Sequence, residues 1–129
     1  MERNIVNVFV WILQGVLAAA FAGAGTTKSI QPKEKLAKMG LAWVEDFAPG
    51  VIKLIAGAEL LAAIGLILPG ATDLATVLTP LAATGLAVVM IGAIITHARR
   101  REPREIATNV ALLAVAVVIA WARFGPYAF

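Results

Sequence analysis

Gly50–Pro69 reads Gly-Val-Ile-Lys-Leu-Ile-Ala-Gly-Ala-Glu-Leu-Leu-Ala-Ala-Ile-Gly-Leu-Ile-Leu-Pro, an apolar run with Lys53 near its start and Glu59 near its centre. A helix of about 20 such residues crosses the hydrocarbon layer of a bilayer. Three further runs of the same kind flank it, from Ile5 to Gly25, Val77 to Thr96 and Thr108 to Phe124. Together they predict an all-α fold: a single domain over residues 1–129, an integral membrane bundle of four helices. The first run is too long for the apolar core of a signal peptide and is expected to remain as a span.

Composition agrees with this reading. Of 129 residues, 60% are hydrophobic and 15% charged, and the mean hydropathy is +0.87. Soluble domains are about 45–50% apolar, and so few charges cannot cover a water-facing surface. Lipid removes that requirement, provided every backbone group is satisfied inside the helices. There is no cysteine, which excludes disulfides, thiol redox chemistry and cysteine-held clusters or metals. The net charge of +3 is modest. No surface combining aromatic and basic residues suggests nucleic acid, so none is expected as a partner.

The basic residues between the runs are unevenly placed. Lys28, Lys33, Lys35 and Lys38 follow the first run, and Arg99, Arg100, Arg101 and Arg104 follow the third. The other aqueous segments hold only Arg3 and Arg123. The positive-inside rule therefore predicts a plasma-membrane protein with both basic loops cytoplasmic and both termini outside. Trp11, Trp121 and Tyr127 fall towards the outer side, as an aromatic belt requires.

Within the first loop, Pro32 suits a helix start. Leu36, Met39, Trp43 and Phe47 then recur at helical spacing. The pattern fits a short amphipathic helix on the inner leaflet or a loop packed under the bundle. Gly15, Ala19 and Gly23 form a small-residue face of the first run. Such faces allow close helix contact, within the chain or, less often, in a homodimer.

Glu59 is the most informative residue. A charge at mid-bilayer costs at least about 2.5–3.5 kcal/mol, so Glu59 is expected to face the interior and to be partnered or protonated. Depth places Gln14 and Thr84 at a similar level, where the three could form a polar cluster or simply fix the packing. A second set lies at the cytoplasmic rim. Lys28, Lys53, His97 and Asn109 could converge on a polar head group, or could anchor helix ends at lipid phosphates. His97 is the only histidine, so no multi-histidine metal site forms within one chain. Glu59 and His97 sit roughly 10–15 Å apart in depth at the helical rise, which counts against a direct acid–base pair. No complete catalytic constellation is present.

Several short motifs recur in a familiar order. They are Ala24-Gly25-Thr26-Thr27-Lys28, then Lys53-Leu54-Ile55-Ala56-Gly57-Ala58-Glu59-Leu60, and Leu66-Ile67-Leu68-Pro69. Gly92-Ala93-Ile94-Ile95-Thr96-His97-Ala98-Arg99-Arg100 and Trp121-Ala122-Arg123-Phe124 complete the series. The series resembles the DoxX-like family of small bacterial four-helix membrane proteins, over nearly the whole chain. The resemblance marks Lys28, Glu59 and His97 as positions of interest without supplying a mechanism. The family takes its name from a membrane subunit associated with a thiosulfate:quinone oxidoreductase, and other relatives look like accessory or assembly factors. Without cysteine, any sulfur redox role here needs a partner subunit.

Three expectations follow. The first is a non-catalytic subunit or accessory factor. Its interior pocket of Glu59, Gln14, Thr84, His97, Lys28 and Asn109 would take a quinone-like or isoprenoid-like molecule, or a helix of a membrane-protein partner. The second is a membrane-embedded oxidoreductase component or isomerase using Glu59 and His97. The third is a small transporter or proton path through Glu59.

Overall fold

The computed structural model describes residues 2–129. Four long helices carry the fold: α1 Glu2–Ile30, α3 Pro49–Thr72, α4 Leu78–Arg99 and α5 Pro103–Phe124. All four are long and apolar enough to cross a membrane. Each runs further than its apolar core, because the flanking charged turns remain helical. Two short elements, α2 Lys33–Lys38 and a 3₁₀ helix at Ala42–Asp46, lie between α1 and α3.

Short connections make successive long helices antiparallel. α1 packs on α3, α3 on α4 and α4 on α5, and a lighter α1–α5 contact closes the ring. One end of the ring holds the loops rich in lysine and arginine and is here the basic end. The core is built from Val10, Leu17, Phe21, Leu66, Leu86, Met90 and Ile119. Ala18, Ala63, Ala83, Ala116 and Ala122 sit among them. These small side chains let the backbones approach, as dispersion between helices in lipid requires. The outer faces are equally apolar. Leu54 and Leu61 are 73% and 72% exposed, a surface that water would penalise and acyl chains accept.

Prolines and left-handed residues set the helix limits. Pro49 and Pro103 open α3 and α5, where the missing N–H has no partner to lose. Gly40, Asp73 and Arg101 have φ of +99°, +58° and +58°. Each is followed by an amide that reaches back five residues: Leu41 to Leu36, Leu74 to Pro69, and Glu102 to His97. That 6→1 bond is the Schellman termination. Pro69 lies inside α3 and cannot bond the Gly65 carbonyl one turn earlier. The Thr79 hydroxyl of α4 donates to that carbonyl at 2.8 Å. A backbone defect on one helix is thus repaired by its neighbour.

A short helix does lie between the first two spans, as expected, but it is shorter than the apolar spacing suggests. Gly40 ends α2 after six residues, so the spacing of Leu36, Met39, Trp43 and Phe47 does not line one helix face. Leu36 and Val44 are buried with Ile52, Trp43 and Phe47 pack on that cluster, and Met39 is exposed. The segment tucks under the ring at its basic end. The small face of α1 also differs. Gly15, Ala19 and Gly23 point outward, and a Cβ at either glycine would meet nothing within 4 Å. The close contact is made instead at Gly25. A Cβ there would lie 2.9 Å from Leu60 Cγ and 3.0 Å from the Ala56 carbonyl oxygen.

Candidate functional site

Side chains of a helix lean toward its N-terminus. α1 and α3 run in opposite directions, so Lys28 leans into the interior while Glu59 leans back toward the basic end. They meet. Lys28 Nζ donates to Glu59 Oε1 at 2.7 Å, and both side chains are almost fully buried. The Trp43 ring of the loop covers the ammonium, with Nζ 5.5 Å from the ring centroid. A cation over an indole face is attracted by its quadrupole. The close approach at Gly25, one turn from Lys28, brings the two helices near enough for the pair.

Lys53 leans the same way as Glu59 and caps α1. Its ammonium donates to the carbonyls of Lys28, Ser29 and Gln31 at 2.5, 3.0 and 2.7 Å. These are acceptors that a helix end leaves unpaired, and a cation there also suits the helix dipole. Lys53 thereby fixes the backbone that carries Lys28.

A charged chain runs along the same end. His97 Nδ1 lies 2.8 Å from Glu102 Oε1. Arg100 lies 3.4 Å from the same carboxylate and 2.9 Å from Asp46 Oδ2. The Schellman turn with left-handed Arg101 folds Glu102 back onto His97. The hydrogen bond from His97, reinforced by the Arg100 guanidinium, holds the Glu102 carboxyl below the ordinary carboxylate range. The chain ties the α4–α5 turn to the 3₁₀ helix that presents Trp43.

Gln14, at the level of Glu59 by sequence depth, joins a different cluster. Its Nε2 donates to the Leu66 carbonyl at 2.6 Å, and its Oε1 accepts from Arg123 Nε at 2.7 Å. Thr84 is exposed and donates to the Pro80 carbonyl of its own helix. It faces an open apolar groove between α4 and α5 rather than the interior. The Gln14–Glu59–Thr84 cluster is therefore not formed. Depth sets a residue's level, whereas its direction depends on helix rotation. Glu59 and His97 do not pair with each other either, since each has its own partner. Among the described residues, Asn109 is half-buried and makes no side-chain hydrogen bond to Lys28, Glu59 or His97. Of the rim set, Lys28 and Lys53 meet at the end of α1, while His97 belongs to the adjoining charged chain. Two contributors escape sequence reasoning: Trp43, which looks like one more apolar loop residue, and Arg123, whose one signal is being, with Arg3, one of two arginines at the end poor in basic residues.

Chemically, the Lys28–Glu59 pair offers three ammonium protons and four carboxylate lone pairs in a dry setting. Direct contact at 2.7 Å spends one donor and one acceptor of this set within the pair. Among the described residues no group of three or more His, Cys, Asp and Glu is placed to hold a metal ion.

No curated protein and no solved structure matches the chain at a significant level. A family model does, over residues 12–119, which include Gln14, Lys28, Glu59 and His97. Four spanning helices and that match together make this a multi-pass membrane protein, and the chain belongs to the DoxX-like family.

Proposed function

We propose that the protein is a non-catalytic subunit or accessory factor of the cell inner membrane, with its basic end cytoplasmic. In this reading it takes up a hydrophobic molecule with a polar head, of the quinone or isoprenoid class, at the seam between α1 and α3. The observation that carries the reading is the Lys28–Glu59 pair, buried in the spanning region under Trp43. Ionisable groups inside a membrane are costly and mark functional sites by default. A buried pair adds little net stability over apolar residues of the same size, so packing alone gives no reason for it. A head-group carbonyl accepts from the Lys28 ammonium, and a head-group hydroxyl donates to the Glu59 carboxylate. Trp43 rides on the 3₁₀ helix of the α1–α3 connection and is the part that moves aside to admit the head. The tail lies among the apolar helix faces.

The test is ligand retention. The protein, purified in a mild neutral detergent, is extracted and its bound apolar compounds are identified by mass spectrometry. A stoichiometric quinone- or isoprenoid-type compound is expected with the wild-type chain. About tenfold less is expected with Glu59→Gln, at unchanged helix content. Unchanged ligand retention and unchanged capture of membrane partners in Glu59→Gln would refute the reading.

A further inference from the structure

The end of the ring opposite the basic loops holds a buried cation with no anionic side chain bonded to it among the described residues. Arg123 is only 3% exposed. Its guanidinium donates to Gln14 Oε1 at 2.7 Å, Asn7 Oδ1 at 2.6 Å and the Tyr127 carbonyl at 2.9 Å. Every one of those acceptors is neutral, and Nη2 is buried without any partner among the described residues. Aromatic rings close round it, with Cζ 4.1 Å from the Phe129 ring centroid and 5.7 Å from that of Trp11. Gly70 gives those rings their place, since a Cβ there would come within 2.8 Å of both. Neutral acceptors spread a guanidinium charge but do not cancel it, and an uncompensated charge in such a setting is costly.

A cleft of about 220 Å³ adjoins this cage, lined by Arg3, Asn4, Asn7, Tyr127, Ala128 and Phe129. Asn7 and Phe129 belong to both, so the cleft begins one side chain away from Arg123. Asn7 commits its carbonyl oxygen to Arg123, which turns its NH₂ group, the donor side, away from the guanidinium. Arg3 stands over the Tyr127 ring at 5.4 Å and donates to the Pro126 carbonyl at 2.6 Å. No acidic side chain lines the cleft. Its described side chains therefore present donors, with one guanidinium at the rim and another behind the wall.

We propose that this cleft is a binding site for an anionic group, a phosphate or a carboxylate. The anion accepts from Arg3, Asn4 and Asn7 and supplies the negative charge that Arg123 lacks. Such a group reaches this end of the molecule either as the head of an amphiphile or as a free anion. The site is separate from the Lys28–Glu59 seam and stands whether or not that seam takes a ligand.

The experiment uses the full chain in neutral detergent, with lipid retention read by native mass spectrometry and thermal unfolding read in parallel. The probes are phosphatidylglycerol, phosphatidylcholine and sodium phosphate, the last against chloride at matched ionic strength. Retention of phosphatidylglycerol at least tenfold above phosphatidylcholine is expected, falling about tenfold in the Arg3→Gln/Asn4→Ala variant. Both side chains are exposed, and circular dichroism of that variant checks that its helix content is unchanged. The Lys35→Gln/Lys38→Gln variant, which removes two charges at the basic end, should retain the lipid as wild type does. Stabilisation by phosphate alone that is lost in Arg3→Gln/Asn4→Ala identifies a free anion. An effect of phosphatidylglycerol alone identifies an amphiphile head. Absence of any anion preference overturns the proposal. So does a preference that survives Arg3→Gln/Asn4→Ala or vanishes in Lys35→Gln/Lys38→Gln.

Discussion

Removing one member of the Lys28–Glu59 pair strands the other inside the membrane. Lys28→Met leaves an uncompensated carboxyl with 2% of its surface exposed. The expected cost is about 3–5 kcal/mol, the penalty of a broken buried pair. Lys28→Met combined with Glu59→Leu removes both charges and should recover most of that loss. Thermal unfolding of the two single variants and the double variant closes the cycle. Equal and additive losses would mean that the two residues do not act as a pair. Glu102 makes a different prediction, about pH. Its carboxyl is held below the ordinary value of 4.5 by His97 and Arg100. A depressed folded-state pKa stabilises above the unfolded value and loses its effect as pH falls through the folded value. The contribution of Glu102 to the α4–α5 turn is therefore expected to be fully present above about pH 4.5 and to be lost only below it. Hydrogen exchange at the Arg101 and Glu102 amides measures this, and Glu102→Gln should abolish the change.

At the level of elements, the α1–α3 and α3–α4 seams are sensitive at single positions. Gly25→Ala forces a methyl to 2.9 Å from Leu60 and 3.0 Å from the Ala56 oxygen. About 1–3 kcal/mol is expected from such overpacking, and misplacement of Lys28 with it. Gly23→Ala meets open space and should be neutral, or stabilise by up to about 1 kcal/mol through helix propensity. Thr79→Val orphans the Gly65 carbonyl that Pro69 cannot serve, at a cost of about 1–3 kcal/mol. Melting curves of the three variants rank these effects, and a Gly25→Ala protein as stable as Gly23→Ala would contradict the seam. These positions also show what sequence could and could not supply. The number, length and order of the spans follow from hydropathy, because lipid demands about 20 apolar residues per crossing. The inward faces do not follow. A helix apolar all round carries no phase, so sequence offers the Gly15-Ala19-Gly23 face as a contact that the structure makes at Gly25 instead. Thr84 looked as central as Glu59 for the same reason. Glu59 was legible because a lone mid-span charge needs compensation. Its partner was hidden, since Lys28 reaches it only by leaning toward its own N-terminus.

The whole molecule is polarised between two ends, and orientation in the membrane decides what each end can meet. The basic end carries the two loops rich in lysine and arginine, together with the Trp43 segment that covers Lys28. The other end carries the short α3–α4 connection, the start of α1, the segment after α5 and the Arg123 cage. By the positive-inside rule the first is expected to face the cytoplasm. Ligand uptake beneath Trp43 would then draw on the cytoplasmic leaflet, and the anion cleft would face the other. Absence of cysteine makes this directly measurable, because any thiol introduced is the only one present. Lys38→Cys and Arg104→Cys lie exposed at the basic end, and Leu74→Cys lies exposed at the other. In intact cells a membrane-impermeant maleimide should label Leu74→Cys alone, and all three should react once the membrane is opened. Labelling of Lys38→Cys and Arg104→Cys before opening would invert the orientation and move the Trp43-covered seam to the outer leaflet. The Lys28–Glu59 geometry would be untouched by that result, since it depends on helix direction within the chain and not on which side of the membrane holds its loops.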